Sequence, residues 1–333
     1  MSEARFDVVG IGNAIVDVLA HTMESFIFEN NLVKGSMSLI DEFSADELYK
    51  KIGSSKECSG GSSANTIATL ASLGSKCAFI GKVKNDQLGK AFYDDITSLG
   101  VTYQTKADDK GPSTARCIIH VTPDAERTMQ TFLGASINLG PDDINETIIS
   151  ASKVSYLEGY LWDTEKAKEA MLKAAVCSKN AGQMASLSLS DSFCVERHRD
   201  EFLWLIKNHI NVLFANEEEI KCLYQASNFQ DALKAVSSDC EIAILTRGKE
   251  GSVVTSGDEV YISAAETVDQ VIDTTGAGDA YAAGFLYGLT ADEPLPICAR
   301  YGGICSAEVI RHVGARPEGY LKEPLKEKIN AIS

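Results

Sequence analysis

From residue 140 onward, apolar strand-like runs alternate with helix-length amphipathic segments. Strands are expected at 153–157, 184–189, 212–215, 242–246 and 252–255, and helices at 165–179, 196–209, 217–224, 231–237, 279–289 and 295–309. This alternation leaves few folds open, because neighbouring parallel strands need a crossover, usually a helix, and both sheet faces must then be covered. The expected fold class is α/β, a doubly wound and mostly parallel sheet. With 333 residues, the chain suits one large α/β domain or one domain plus a small appendage.

The N-terminal third is less regular. Phe6-Asp7-Val8-Val9-Gly10-Ile11-Gly12 reads as a buried strand, and 14–20 continues apolar. A polar and aromatic excursion follows over 21–56, with a helix at 44–52 whose Ser44 and Glu47 have capping-box spacing. Helices at 64–73 and 88–99 are stopped by Gly74 and Gly100, around a strand at 76–81. Two β-like runs, 115–121 and 127–133, flank a turn at Pro123-Asp124 and are expected to join the excursion in a small second sheet. A charged tail at 322–333 reads as a short helix.

Charge and cysteine content exclude several classes. Net charge is −16, and the only basic cluster, Arg197-His198-Arg199, reads as a solvated face, so no nucleic-acid partner is expected. Nine scattered cysteines without a CxxC pair fit reduced, mostly buried thiols. The five histidines lack metal-ligand spacing. Residues 1–7 lack the regions of a signal peptide, and no apolar run is long enough to span a bilayer, so a cytoplasmic protein without a membrane partner is expected.

The chemistry concentrates in Asp273-Thr274-Thr275-Gly276-Ala277-Gly278-Asp279-Ala280, which runs into the apolar helical stretch from Tyr281 to Leu289. A glycine turn at a helix N-terminus offers unpaired N–H groups and the positive end of the dipole to an anion. Asp279, beside that anion hole, is placed to take a proton from an alcohol. Together they point to phosphoryl transfer to a hydroxyl group. Helix capping alone would also favour an acid there, but the run is longer and more specific than a cap requires.

Two familiar nucleotide motifs fail. Lys84 stands where a Walker loop around Gly89-Lys90 needs glycine, and Ala91 follows instead of Ser or Thr. Gly10-Ile11-Gly12-Asn13-Ala14-Ile15 lacks the third glycine of a dinucleotide fingerprint. Other segments have two readings each. Thr246-Arg247-Gly248-Lys249-Glu250-Gly251 ends a strand as a phosphate-approaching turn or as an ordinary β-turn. Asn216-Glu217-Glu218-Glu219 caps a helix or lies near Mg²⁺-bound phosphates, through water. Gly60-Gly61-Ser62-Ser63-Ala64-Asn65 opens a helix as a plain glycine loop or with Asn65 facing the site. Asp17 lies in an apolar run, where a carboxylate needs partners from a bound polyol or from a backbone N–H.

The chain resembles the ribokinase-like, or pfkB, family of carbohydrate and nucleoside kinases. Gly60 to Asn65 continuing through Gly81 to Gly89 is similar to its first signature, and Asp273 to Gly284 to its second. The similarity runs over about 5–320. Within the family the chain looks most like the adenosine kinases, through Gly12-Asn13-Ala14-Ile15-Val16-Asp17, Leu189-Ser190-Asp191-Ser192-Phe193, Leu213-Phe214-Ala215-Asn216-Glu217 and Val309-Ile310-Arg311-His312-Val313-Gly314.

The resemblance implies a large nucleotide-binding and catalytic domain at 1–15, 56–107 and 137–333, and a β lid at 16–55 and 108–136. It implies Asp279 as base and the N–H groups of Gly276, Ala277 and Gly278 as anion hole. Asn13, Asp17, Gly60, Gly61, Ser62, Asn65, Arg127 and Glu158 would bind the acceptor. Asn216, Thr246, Gly248, Gly251 and Thr275 would bind ATP, with Glu219 on Mg²⁺ through water. Many members also bind K⁺ near Asp273–Thr275, where Arg311 would make it unnecessary. The expected reaction is phosphorylation of the 5′-hydroxyl of adenosine to AMP. The alternative is a sugar kinase acting on ribose, fructose or 2-keto-3-deoxygluconate, in a monomer or homodimer. The chain departs from the adenosine kinases where Leu161 replaces an aromatic residue that stacks on adenine, leaving Tyr160 or Trp162 to restack. Met37 replaces a polar contact, and Glu158 resembles an acid found in sugar kinases.

Overall fold

The computed structural model describes residues 5–124, 126–323, 325 and 327. Its main sheet has nine strands in the spatial order Glu259–Ser263, Ser252–Ser256, Ile242–Thr246, Val212–Asn216, Met184–Ser188, Ser152–Glu158, Phe6–Ile11, Cys77–Ile80 and Thr102–Tyr103. The seven strands from Ile242–Thr246 to Thr102–Tyr103 run parallel; the two at the other edge are antiparallel. This is the doubly wound α/β fold that the alternation predicts. The central strands read as near-continuous Val, Ile, Leu and Ala because both faces are covered. Helices Glu165–Asn180 and Ser192–His209 seal one apolar layer, and Ser62–Ser72, Gln87–Ser98 and Ala277–Thr290 the other.

Chain order reverses at Phe6–Ile11. The first strand sits between Ser152–Glu158, which starts the later half, and Cys77–Ile80, which belongs to the earlier half. Ligands in such sheets bind beyond the carboxyl ends of the strands at this reversal. Gly12, Glu158, Asn216 and Thr246 all stand at those ends.

A second sheet of five strands lies in the order Met37–Leu39, Arg127–Phe132, Ala115–Val121, Ile15–His21 and Ser55–Gly60. Ile15–His21 alternates in burial: Val16, Val18 and Ala20 face inward, while Ile15, Asp17 and Leu19 form the partly open face. Ser55–Gly60 pairs antiparallel with Ile15–His21. Its sequence, Ser-Lys-Glu-Cys-Ser-Gly, has no apolar alternation to announce a strand.

Some local expectations are corrected. The helix expected at 44–52 spans Glu42–Lys51, and Asp41 caps it by accepting from Ser44 N–H at 2.7 Å. No Ser44–Glu47 box forms, because a better capping acid lies three residues upstream. The edge strand Glu259–Ser263 had no strong signal, since Val260 and Ile262 point to solvent. None of the nine cysteines is in a disulfide. The tail helix expected at 322–333 lies for the most part outside the described residues.

Candidate active site

Two helix N-termini converge on one point. Helix Ala277–Thr290 starts from Gly276, whose φ of 76° puts it in the left-handed region open mainly to glycine. A side chain on Gly276 would also strike the backbone of Ala315. Helix Ser62–Ser72 starts from Gly61, φ 98°, over which the Asn13 carbonyl lies too close for any Cβ. The small residues further along serve packing: Gly284 lies against Tyr301 and Gly302 of helix Leu295–Val309.

Asp279 stands in the first turn of its helix. Ser62 Oγ donates to its Oδ1 at 2.6 Å, and Asn65 Nδ2 donates to its Oδ2 at 3.3 Å. Burial pushes its carboxyl up to about 6, against the pull of these bonds and of the Arg316 charge. Asp279 lines a cavity of about 450 Å³ together with Gly276, Gly278, Ser188, Asn216 and Thr246. Asp279 therefore faces an open cleft instead of being locked in the interior. Gly278 is exposed, with nothing within 4 Å of where a Cβ would sit, so an incoming group can approach its N–H closely. Ala277 N–H makes a 3.2 Å turn bond to the Thr274 carbonyl.

A second cavity of about 520 Å³ adjoins the first and shares Thr246, Gly248, Thr274, Ala277, Gly278 and Tyr281 with it. Its far wall includes Ala264, Val268, Val271 and Ile310. Apolar walls beside a glycine turn suit a flat base joined to phosphates. Gly251, φ 85°, is required where the Ser263 carbonyl crosses it, whereas Gly248 has open space around it.

The expected acceptor contacts divide into two groups. Asp17 lies on the open face of the small sheet, directly opposite Cys58 on one strand and Cys117 on the other. Glycine at position 60 makes room for its carboxyl group. Burial pushes the Asp17 carboxyl up to about 6, opposed by the charges of Arg316 and Arg127. Arg127 reaches across from the small sheet to Asp273, 2.8 Å away, and to Thr275 Oγ1 at 3.3 Å. Asn13 and Glu158 turn inward. Asn13 N–H and Nδ2 both donate to Glu158 Oε1, at 3.3 and 2.8 Å, and Ser63 N–H donates to Oε2 at 2.9 Å. Glu158 is 1% exposed, and burial pushes its carboxyl up to about 7. It ties a strand end to the N-terminus of helix Ser62–Ser72.

Asn216 and Glu219 form a complete capping box: Glu219 N–H donates to Asn216 Oδ1 at 2.8 Å, and Asn216 N–H donates to Glu219 Oε2 at 2.9 Å. Both line the 450 Å³ cavity, and burial pushes the Glu219 carboxyl up to about 7. The capping reading is thus met in full, and the same pair also faces the cavity. No cluster of three or more metal-ligating side chains occurs among the described residues. The Asp273 carboxylate is taken up by Arg127, Thr275 N–H and Gly314 N–H. Neither Leu161 nor Trp162 offers a ring to a base: Leu161 is core, and Trp162 is buried and donates to Glu201 at 2.6 Å. Tyr160 does line the cavity.

Sequence reasoning missed Arg316. Its Nε donates to Asn65 Oδ1 at 2.9 Å, and its Nη1 donates to Ser59 Oγ at 2.8 Å and to Asp95 at 3.1 Å. No local pattern marks it. Its chain neighbour Ala315 packs its backbone on Gly276.

An aspartate in the first turn of a helix that starts from glycine, beside two adjoining cavities, suits a phosphotransferase with an alcohol group as acceptor. The sequence profile of the pfkB family of carbohydrate kinases matches residues 30–320, and the chain belongs to that family. A 5-dehydro-2-deoxygluconokinase of Geobacillus kaustophilus is 27% identical over 263 residues, 75% of this chain and 78% of that one. The crystal structure of a probable sugar kinase from Rhizobium etli superposes with a TM-score of 0.90 at 44% identity, covering 98% of this chain and 99% of that one. An adenosine kinase from Sinorhizobium meliloti superposes equally well, TM-score 0.90, at 45% identity, covering 98% and 100%. No helix among the described residues is long and apolar enough to cross a membrane.

Proposed function

We propose that this kinase transfers a phosphoryl group from ATP to a hydroxyl of a free sugar, of the broad kind named by its curated relatives. The observation that carries this reading is Asp17. Its carboxyl group makes no hydrogen bond among the described residues, stands on the open face of the small sheet, and lies within the field of Asp279 and of two arginines. Such a group is suited to accept from the hydroxyls of a polyol.

In this reading Asp279 takes the proton as the acceptor oxygen attacks. The N–H groups of Gly276 and Gly278, with the helix dipole, stabilise charge on the group in transit. Thr246, Gly248 and Gly251 would lie under the donor phosphates, and Asn216 and Glu219 would orient water around Mg²⁺, which neutralises phosphate charge when bound. The small sheet carries Arg127 over the site and excludes water.

Adenosine is the second reading. It draws on the 45% identity to the Sinorhizobium enzyme and on the apolar residues Leu19, Cys117, Ile119 and Met129 around Asp17, which could face a base. Scoring ATP consumption against ribose, fructose, 2-keto-3-deoxygluconate, 5-dehydro-2-deoxygluconate and adenosine separates the two. Turnover of a sugar is expected; turnover of adenosine alone would replace the first reading with the second.

A further inference from the structure

Arg316 is held from three sides. Asn65 takes Nε, while Ser59 and Asp95 take Nη1. Asp95 also accepts from Ser59 N–H at 2.9 Å and Ser59 Oγ at 2.5 Å, so the anchor is itself anchored. These partners come from the strand Ser55–Gly60 and the helices Ser62–Ser72 and Gln87–Ser98, and Arg316 joins them to the C-terminal segment. The remaining nitrogen, Nη2, is buried and has no hydrogen-bond partner among the described residues. A buried cationic donor without an acceptor is costly, and native structures rarely keep one without a use. Arg316 acts electrostatically on both Asp17 and Asp279, the two carboxylates between which the acceptor would lie in the proposed reading.

We infer that Arg316 is an acceptor-binding residue: Nη2 donates a hydrogen bond to an oxygen of the sugar held between Asp17 and Asp279. This rests on the proposed reading of that site. Its fixed fork explains why three separate elements immobilise it. An arginine needed only for charge balance would be satisfied by Asp95 alone. The bond it offers suits a hydroxyl or carbonyl oxygen one or two atoms from the reacting hydroxyl. It would fix the rotation of the acceptor as well as its position, and so select which hydroxyl meets Asp279.

The test uses the whole chain with the acceptor that supports turnover in the panel above. Arg316→Lys and Arg316→Ala are compared with wild type at saturating ATP. The KM for the acceptor is expected to rise about ten- to a hundredfold, as befits one lost charge-assisted bond, with the KM for ATP unchanged. Added methylguanidinium should recover part of the loss in Arg316→Ala but not in Arg316→Lys. An unchanged acceptor KM in both variants would overturn the inference. So would a fall in kcat alone with an upward shift of the acidic pH limb, which would mean that Arg316 acts only through Asn65 and Asp279. Asp279→Asn runs alongside. Full activity there would remove the reading of the site, whereas an inactive Asp279→Asn with an unaffected Arg316→Ala removes the role of Arg316 alone.

Discussion

Arg127 of the small sheet and Asp273 of the loop before helix Ala277–Thr290 meet at 2.8 Å, with both side chains nearly closed to solvent. The pair joins the small sheet to the helix start that carries Asp279. Asp273 keeps two backbone partners, Thr275 N–H and Gly314 N–H, when Arg127 is removed. Arg127 has no comparable second support among the described residues, since its bond to Thr275 is long at 3.3 Å.

The asymmetry sets the first prediction. Asp273→Asn should cost more than Arg127→Met, because it strands a buried cation. A double-mutant cycle on kcat/KM is expected to give a coupling of about 1–3 kcal/mol. Both variants should release more free phosphate per phosphorylated acceptor, since a looser small sheet admits water. An unchanged ratio of phosphate release to product would show that the pair does not close the site.

Asp279 must be ionised to act as a base, and burial pushes its carboxyl up to about 6. Activity should therefore fall on the acid side with an apparent pKa near that value. Asp279→Asn should lower kcat by about 10² to 10⁴ while leaving the fold intact. Ser62→Ala removes a bond that favours the ionised form, so the acidic limb should move to higher pH. A pH–rate profile of the three proteins checks all of this at once.

The strands and helices of the main sheet were legible because buried parallel strands write themselves as apolar runs and glycines mark helix ends. Gly74 and Gly100 stop their helices at φ 90° and 81°, as their positions imply. The glycine turn that starts helix Ala277–Thr290 was legible for the same reason, since its shape is carried by backbone within one short segment. Side-chain partnerships were not. Nothing near Glu158 in the chain indicates that Asn13 and Ser63, far away in sequence, will take both its oxygens. Arg316 depends on four elements meeting, and its neighbours in sequence form no motif. Ser55–Gly60 is polar because one face of that strand borders the site, which erased the pattern that reveals strands elsewhere.

In the proposed reading, Asp17 links acceptor binding to stability. Its carboxyl is pushed from the ordinary 3.8 to about 6, so the folded chain holds that proton more tightly than the unfolded chain. The contribution to stability is full below pH 3.8 and is lost as pH rises through about 6. At neutral pH the ionised group costs about 1–3 kcal/mol. Asp17→Asn should therefore be more stable than wild type in urea at pH 7.5 by about that amount, with the advantage shrinking toward pH 4. The same variant should lose affinity for the acceptor. A variant that is less stable at pH 7.5 would show that Asp17 has an internal partner and is not waiting for a ligand.

Gly276 tests whether the helix start needs its backbone shape. Its φ of 76° costs any other residue about 1 kcal/mol or more, and a Cβ would meet the carbonyl oxygen and backbone carbons of Ala315. Relief requires the 314–316 segment to move, which would shift Arg316 and reorient the N–H groups facing the 450 Å³ cavity. Gly276→Ala should lower kcat by at least about tenfold, because a misplacement near 1 Å is enough for large losses. Gly278→Ala is the control: its position is open to solvent with nothing within 4 Å, so the fold should tolerate it. A methyl group there faces the incoming phosphoryl group instead, and the loss should appear in kcat with no change in thermal midpoint. Equal melting and equal rates for both variants would mean that the transferred group does not pass over this turn.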